Sequence, residues 1–122
     1  MERLNTIQKR ENLNEVFVVD EKGNGGAHHI YEIKWDADNN GYISTYRVEF
    51  QNGARKLKDS KHGVLDTDLL EIVRHRLQCF QQGDFATRDN AIALTHIEEA
   101  LLWMNKRVED RIGRNVLGTD EK

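Results

Sequence analysis

The residues best able to do chemistry lie on one helical stretch late in the sequence. Arg107, Arg111 and Arg114 follow Trp103 at steps of four, four and three, which lays three guanidinium groups and an indole along one face of a helix. Such a row repels itself. Glu109 and Asp110 offset it only in part, Asp110 being the acid at a favourable spacing from Arg107. A dianionic guest would relieve the repulsion, because guanidinium forks match phosphate oxygens two at a time. The competing reading is a solvated basic face at a helix C-terminus, where arginines complement the helix dipole in any case.

The same helix carries an inward seam at Asn90, Leu94, Ile97, Leu101, Met104, Val108 and Arg111, in alternating steps of four and three. Its two ends are polar. A polar group on a seam costs stability without a partner, so Asn90 and Arg111 are the places to look for a ligand or a neighbouring chain.

These residues must be positioned by a helical hairpin running from Asp66 to Thr119. Asp66 or Thr67 is expected to cap a first helix with Leu69, Leu70, Val73, Leu77 and Phe80 facing inward, and Gly83 to end it in the left-handed conformation. The second helix starts near Thr87 and meets no breaker before Gly113, so up to Asn115 it would run ~40 Å. A compact chain of this length measures only ~35 Å across. The helix is therefore expected to outgrow its domain and to offer a second apolar flank, Ile92, Ala100, Leu102 and Trp103, to another protomer.

Upstream, Val16 to Val19, His29 to Trp35 and Tyr42 to Phe50 read as strands. Tyr31, Ile33 and Trp35 share one face, as do Tyr42, Tyr46, Val48 and Phe50, which makes an antiparallel meander with one buried side. Met1 to Asn14 is polar and aperiodic, a frayed or briefly helical arm, and the segment from Gln51 to Val64 is a polar loop with room for a short edge strand. The expected fold class is α+β, a small antiparallel β-meander followed by a long αα-hairpin. It is read as one domain over 1–122, comprising an arm (1–14), sheet and loop (15–61) and hairpin (62–119).

Charged residues make up 32% of the 122 residues, yet the net charge is only -3, which opposes nonspecific binding to nucleic acid or membrane while permitting a local basic pocket. The first fifteen residues lack the apolar centre of a signal peptide and no apolar run approaches ~18 residues, so the expected location is the cytoplasm. A single cysteine, Cys79, excludes an intrachain disulfide and reads as a packed thiol.

Other motifs weaken on inspection. Asp36, Asp38, Asn40 and Gly41 match the opening of a calcium-binding loop, but position twelve is Arg47 and the flanks read as strands. The Gly23 to Ala27 loop lacks the lysine and hydroxyl of a P-loop. His28 and His29 are adjacent and point to opposite faces of a strand, and no catalytic triad or carboxylate pair can be read from spacing. Ligand binding without an evident catalytic set is what remains, and neither a cofactor nor a metal is expected.

The series GGAHHIYEI, YRVEFQNGAR, HGVLDTDLLEIVRHRLQCFQQGDFATRDNAIALTHIEEAL and WMNKRVEDRIGRNVLGT resembles the phage Thoeris anti-defence sponges of the first type, whose hairpin is shared with the phage anti-CBASS cyclic-nucleotide sponge. The match spans about 15–119, with its most specific elements in FQ-x-G with Arg55, HRL-x-x-FQ-x-G-x-F and R-x-x-x-R-x-x-R-x-V-x-G-T. The resemblance implies a non-enzymatic protein in the cytoplasm of the infected bacterial host. It would bind a cyclic ADP-ribose isomer and hold it intact, and some members also take up cyclic oligonucleotides. It implies a homo-oligomer, dimer or hexamer, built through the long helices, with no membrane and no polymeric nucleic acid among its partners. By matching motif, Phe80 would stack on the base, Asn90 would hydrogen-bond it, Arg107 and Arg111 would hold the pyrophosphate, and Arg55 would contribute ahead of its lysine neighbours. Trp103 and Arg114 join the candidate set as members of the row. On residue type alone Phe80 is better explained as a core residue closing the hairpin than as a ligand contact. Ala54 and Ala86 depart from the family pattern. A hydrolase of the same signal and a small nucleic-acid-binding module are the alternatives.

Overall fold

A computed structural model describes residues 1–122, in two compact units, Met1–Val64 and Leu65–Lys122. The first is a four-stranded antiparallel sheet in the order β1 (Glu2–Arg3), β2 (Asn14–Val18), β3 (Ile30–Asp36), β4 (Ile43–Glu49). The register places Val18, Tyr31 and Val48 in a row across the sheet, with Val16, Ile33 and Tyr46 in the next. All six therefore share one face, since directly paired residues project to the same side. Val18 and Val48 are the buried apolar side chains, on either side of Tyr31, whose ring meets Phe50 edge to face at 5.7 Å.

The expected arm is corrected at its start. Glu2 and Arg3 form an edge strand against Val18 and Phe17, extended by the Leu4 N–H donating to the Val16 carbonyl at 2.8 Å. The chance calcium loop is a hairpin turn. Its aspartates accept backbone N–H groups, Asp36 from Asp38 (3.2 Å) and Gly41 (2.9 Å), and Asp38 from Asn40 (2.9 Å).

The second unit is an antiparallel helical hairpin, α1 (Asp66–Gln81) and α2 (Arg88–Gly113). Neither helix is long and apolar enough to cross a membrane. Three details differ from expectation. The N-cap of α1 is Leu65 rather than Asp66 or Thr67, and the cap is made by Asp68, whose carboxylate accepts the Leu65 N–H at 2.8 Å. Gly83 has no positive φ, so α1 ends through Gln82 in a right-handed conformation. The left-handed stop belongs to α2, at Asn115 (φ 58), where Asn115 N–H donates to Ile112 and Val116 N–H to Arg111, both at 2.9 Å, the pair of bonds that defines a Schellman motif.

Thr87 caps α2 by accepting the Asn90 N–H at 3.0 Å, and Gln81 latches the turn, donating to the Thr87 carbonyl (3.0 Å) and accepting its N–H (3.1 Å). Arg74 bridges the helices to Glu98 at 2.9 Å. The seam residues Asn90, Leu94, Ile97, Leu101, Met104 and Val108 are all half-buried, while Val73, expected inward on α1, stays 43% exposed. Arg111 alone is buried in either helix. Two helices cannot enclose a core, so Ile92, Leu102 and Trp103 stay open, the last two at 68% and 69% exposure.

Candidate functional site

The latch and the Arg74–Glu98 bridge fix which candidates meet. Phe80 lies six residues beyond Arg74 toward the turn and Asn90 eight before Glu98, so both sit at the hairpin tip. Phe80 is half-open, and the Arg76 guanidinium lies over its ring, 5.2 Å from the centroid. Arg76 is absent from the sequence expectation although its place one turn before Phe80 was available as a signal. The Asn90 carboxamide makes no hydrogen bond inside the hairpin, its backbone N–H alone being used in the cap.

Trp103, Arg107, Arg111 and Arg114 occupy the other end of α2. Asn90 and Arg107 are separated by about 26 Å along one continuous helix, and Asn90 and Arg111 by about 31 Å. One chain does not bring them together.

The arginines at that end differ sharply in environment. Arg114 takes Asp110 at 3.1 Å, which removes the acid best spaced for Arg107. Arg107 is exposed and left without an ion pair, its guanidinium hydrogen-bond donors free. Trp103 is covered by Lys106 instead of an arginine, with Nζ 4.9 Å from its centroid. Arg111 is 6% exposed and enclosed by its own following segment, donating from Nη1 to the Glu121 carbonyl (2.6 Å) and from Nη2 to those of Val116 (3.1 Å) and Thr119 (3.0 Å). The row expected to repel itself is thus dispersed: one guanidinium paired with a carboxylate, one caged by carbonyls, one free.

A groove of about 620 Å³ between the helices, lined by Glu71, Arg74, Glu98, Leu101 and Val108 among others, offers no spare cation, because Arg74 is held by Glu98 and Glu71. Those carboxylates hold the Arg74 guanidinium above its usual pKa, the Glu98 hydrogen bond being the largest cause.

Arg55 belongs to the sheet unit and is tied into a knot centred on Gln51. Its Nε donates to Gln51 Oε1 (2.7 Å) and its Nη2 to the Gly63 carbonyl (3.1 Å), while Gly63 N–H donates to the same Gln51 oxygen at 3.1 Å. Gly63 admits no side chain. A Cβ there would stand 2.5 Å from the Glu49 carbonyl oxygen and 2.7 Å from the Phe50 carbonyl carbon. Cys79, expected to be packed, is exposed, and its sulfur lies 3.9 Å from His75 Nε2 one helical turn away. His28 and His29 lie just ahead of β3 rather than on a strand: His28 Nδ1–H donates to the Asp20 carbonyl at 2.7 Å, while His29 is buried.

Residues 46–109, just over half of the chain, match the family model described as Acb2/Tad1, hairpin domain. The chain belongs to the Acb2/Tad1 hairpin family. The matched stretch covers α1 and most of α2, with Phe80, Asn90 and Arg107 inside it and Arg111 two residues beyond. A relative from Bacillus phage SBSphiJ7, Thoeris anti-defense 1, is 42% identical over 100 residues, covering 82% of this chain. The aligned region spans 66% of that relative's length, slightly under two thirds.

Proposed function

We propose that this member of the Acb2/Tad1 hairpin family is a non-catalytic anti-defence sponge, binding a cyclic ADP-ribose-type signal and holding it intact in the cytoplasm of an infected bacterium. The observation that carries the class is the 42% identity to a phage protein named Thoeris anti-defense 1, together with the family match. Chemistry supports the ligand. Phe80 offers a half-open ring for a base, with Arg76 over it, Asn90 an unused carboxamide, and Arg107 an unpaired guanidinium for a pyrophosphate. Cyclic di- and trinucleotides are further guests of the same class.

The pocket is shared between two chains on this reading. Phe80 and Asn90 lie at one end of the hairpin and Arg107 and Arg111 at the other, about 31 Å from Asn90 to Arg111, too far for one small guest. Two protomers with antiparallel α2 helices would set the tip of one beside the far end of the other and create two equal sites. The exposed Ile92, Leu102 and Trp103 supply apolar surface for such an assembly.

Two experiments test the two parts. Protein is mixed with cyclic ADP-ribose isomers, then removed by heat, and the supernatant is analysed. Recovery of intact signal is expected, and its loss would show a hydrolase. For the shared pocket, an Asn90→Ala chain is mixed with an Arg111→Ala chain. Random pairing of equal amounts restores about a quarter of the wild-type sites. No recovery despite demonstrated subunit exchange would place the site within one chain.

A further inference from the structure

We propose that residues 116–121 are an internal occupant of the Arg111 anion site, displaced when a phosphate-bearing guest takes the guanidinium. The inference rests on the sponge reading for the identity of the guest, and on geometry for the competition. A guanidinium receives an oxyanion on one of two forked edges, Nε with Nη2 or Nη1 with Nη2. Nη2 belongs to both. In this chain both Nη2 hydrogens are already donated, to the Val116 carbonyl at 3.1 Å and the Thr119 carbonyl at 3.0 Å, and Nη1 donates to the Glu121 carbonyl at 2.6 Å. Neither edge is free, and the side chain is 6% exposed.

The segment is shaped to do this. Asn115 turns the chain back with φ 58, and Gly118 turns it again with φ 80, a conformation that an L side chain adopts only under strain. The Thr119 N–H donates to the Val116 carbonyl at 3.0 Å, its hydroxyl donates to that same carbonyl, and it also accepts the Glu121 N–H at 3.3 Å. Three carbonyl oxygens thereby converge on one point. They mimic an oxyanion with partial charges, so a phosphate, carrying full charge, is the stronger acceptor for the same donors. Arg114 is held similarly by the Lys122 carbonyl at 2.6 Å, extending the wrap over the neighbouring cation. Arg107, free of such contacts, makes first contact with the guest, and Arg111 follows when the wrap opens.

The test compares wild type with Gly118→Val and Thr119→Val, which loosen the wrap without touching any arginine. Amide exchange at Val116, Thr119 and Glu121 is followed with and without cyclic ADP-ribose and, separately, inorganic pyrophosphate. On binding, Thr119 and Glu121 are expected to lose protection, and both variants to bind on the order of tenfold more tightly, because the binding-competent fraction rises. Signal binding with protection of Thr119 unchanged or increased would overturn the competition and leave the sponge reading standing. Pyrophosphate binding by the loosened variants, with no signal bound by any protein, would support the competition and sink the sponge reading. Failure of both probes with all three proteins would overturn both.

Discussion

Arg111→Ala tests how the C-terminal wrap is held. Read as one of three repelling guanidinium groups, Arg111 should leave the fold intact or slightly more stable when removed; the structure reverses that sign by giving it three carbonyl partners. Hydrogen bonds to a charged donor are worth about 1.5–3 kcal/mol each. Water regained by the freed carbonyls and chain freedom regained by residues 116–121 offset most of the sum, leaving about one bond's worth. That is an approximately ten- to hundredfold loss of exchange protection at the Thr119 amide. The Val116 amide donates to the Arg111 backbone carbonyl, which an alanine retains, so it should lose less. Amide exchange read by NMR separates the two, and the melting temperature of the hairpin should fall rather than rise. Equal protection at Thr119 in wild type and variant would refute the argument that the side chain holds the segment.

Arg107→Ala should abolish tight signal binding with no loss of thermal stability, measured by calorimetry and differential scanning, because that guanidinium is exposed and unpaired; normal affinity would remove it from the pocket. Phe80→Ala should weaken binding and also release Arg76 from its cation–π contact, a loss on the order of 0.5–1 kcal/mol at an exposed site, visible in denaturant unfolding. Gly63→Ala drives a methyl group into the backbone at Glu49 and Phe50, and overpacking of this kind costs about 1–3 kcal/mol, so the sheet unit should melt several degrees lower and Arg55 should lose its carbonyl acceptor. Acid should act on the sheet unit first. Burial pushes the Asp20 carboxyl up, but the N–H groups of His29 and Ile30 and the nearby His28 outweigh it, and the N–H groups of Asp38 and Gly41 hold Asp36 below its usual 3.8 as well. Lowered folded-state values mean that this stability is present above the unfolded pKa and is lost as pH falls through the folded one. A pH titration of unfolding should therefore show the loss beginning below about 4; stability flat from neutral pH to 2 would contradict it.

What the sequence made legible follows the strength of its periodicity. The α2 seam from Asn90 to Val108 is half-buried where the four-three spacing puts it, and the three expected strands pair in an antiparallel meander, although Tyr42 and Tyr46, expected on its buried face, are 68% and 57% exposed. The misses are contacts that leave little trace in residue type. Glu2 and Arg3 are polar and only two residues long, and their strand exists because Val18 and Phe17 present an edge to pair with. Gly83 was the obvious stop, yet the turn is set by the Gln81 latch and the Thr87 cap, so no left-handed residue is needed there. The expected self-repulsion of the arginine row is relieved for a related reason. Helical spacing reveals side-chain neighbours, whereas the partners of Arg111 are backbone carbonyls arriving from a later turn. Gly118 and Thr119, already noted in the tail element, were the available clue.

The Gln81 latch also bears on the order of events during folding. One carboxamide closes both backbone groups of Thr87 across a connection of only five residues. Loops of this size close in well under a microsecond and cost little chain entropy, so the helical turn is a natural nucleus. The wrap around Arg111 can form only once α2 is complete to its last turn. Rates should separate the two ends: Gln81→Ala should slow folding, with a φ-value near one, whereas Thr119→Val should speed unfolding and leave the folding rate alone. With no proline anywhere in the chain, no slow isomerisation phase would obscure the measurement.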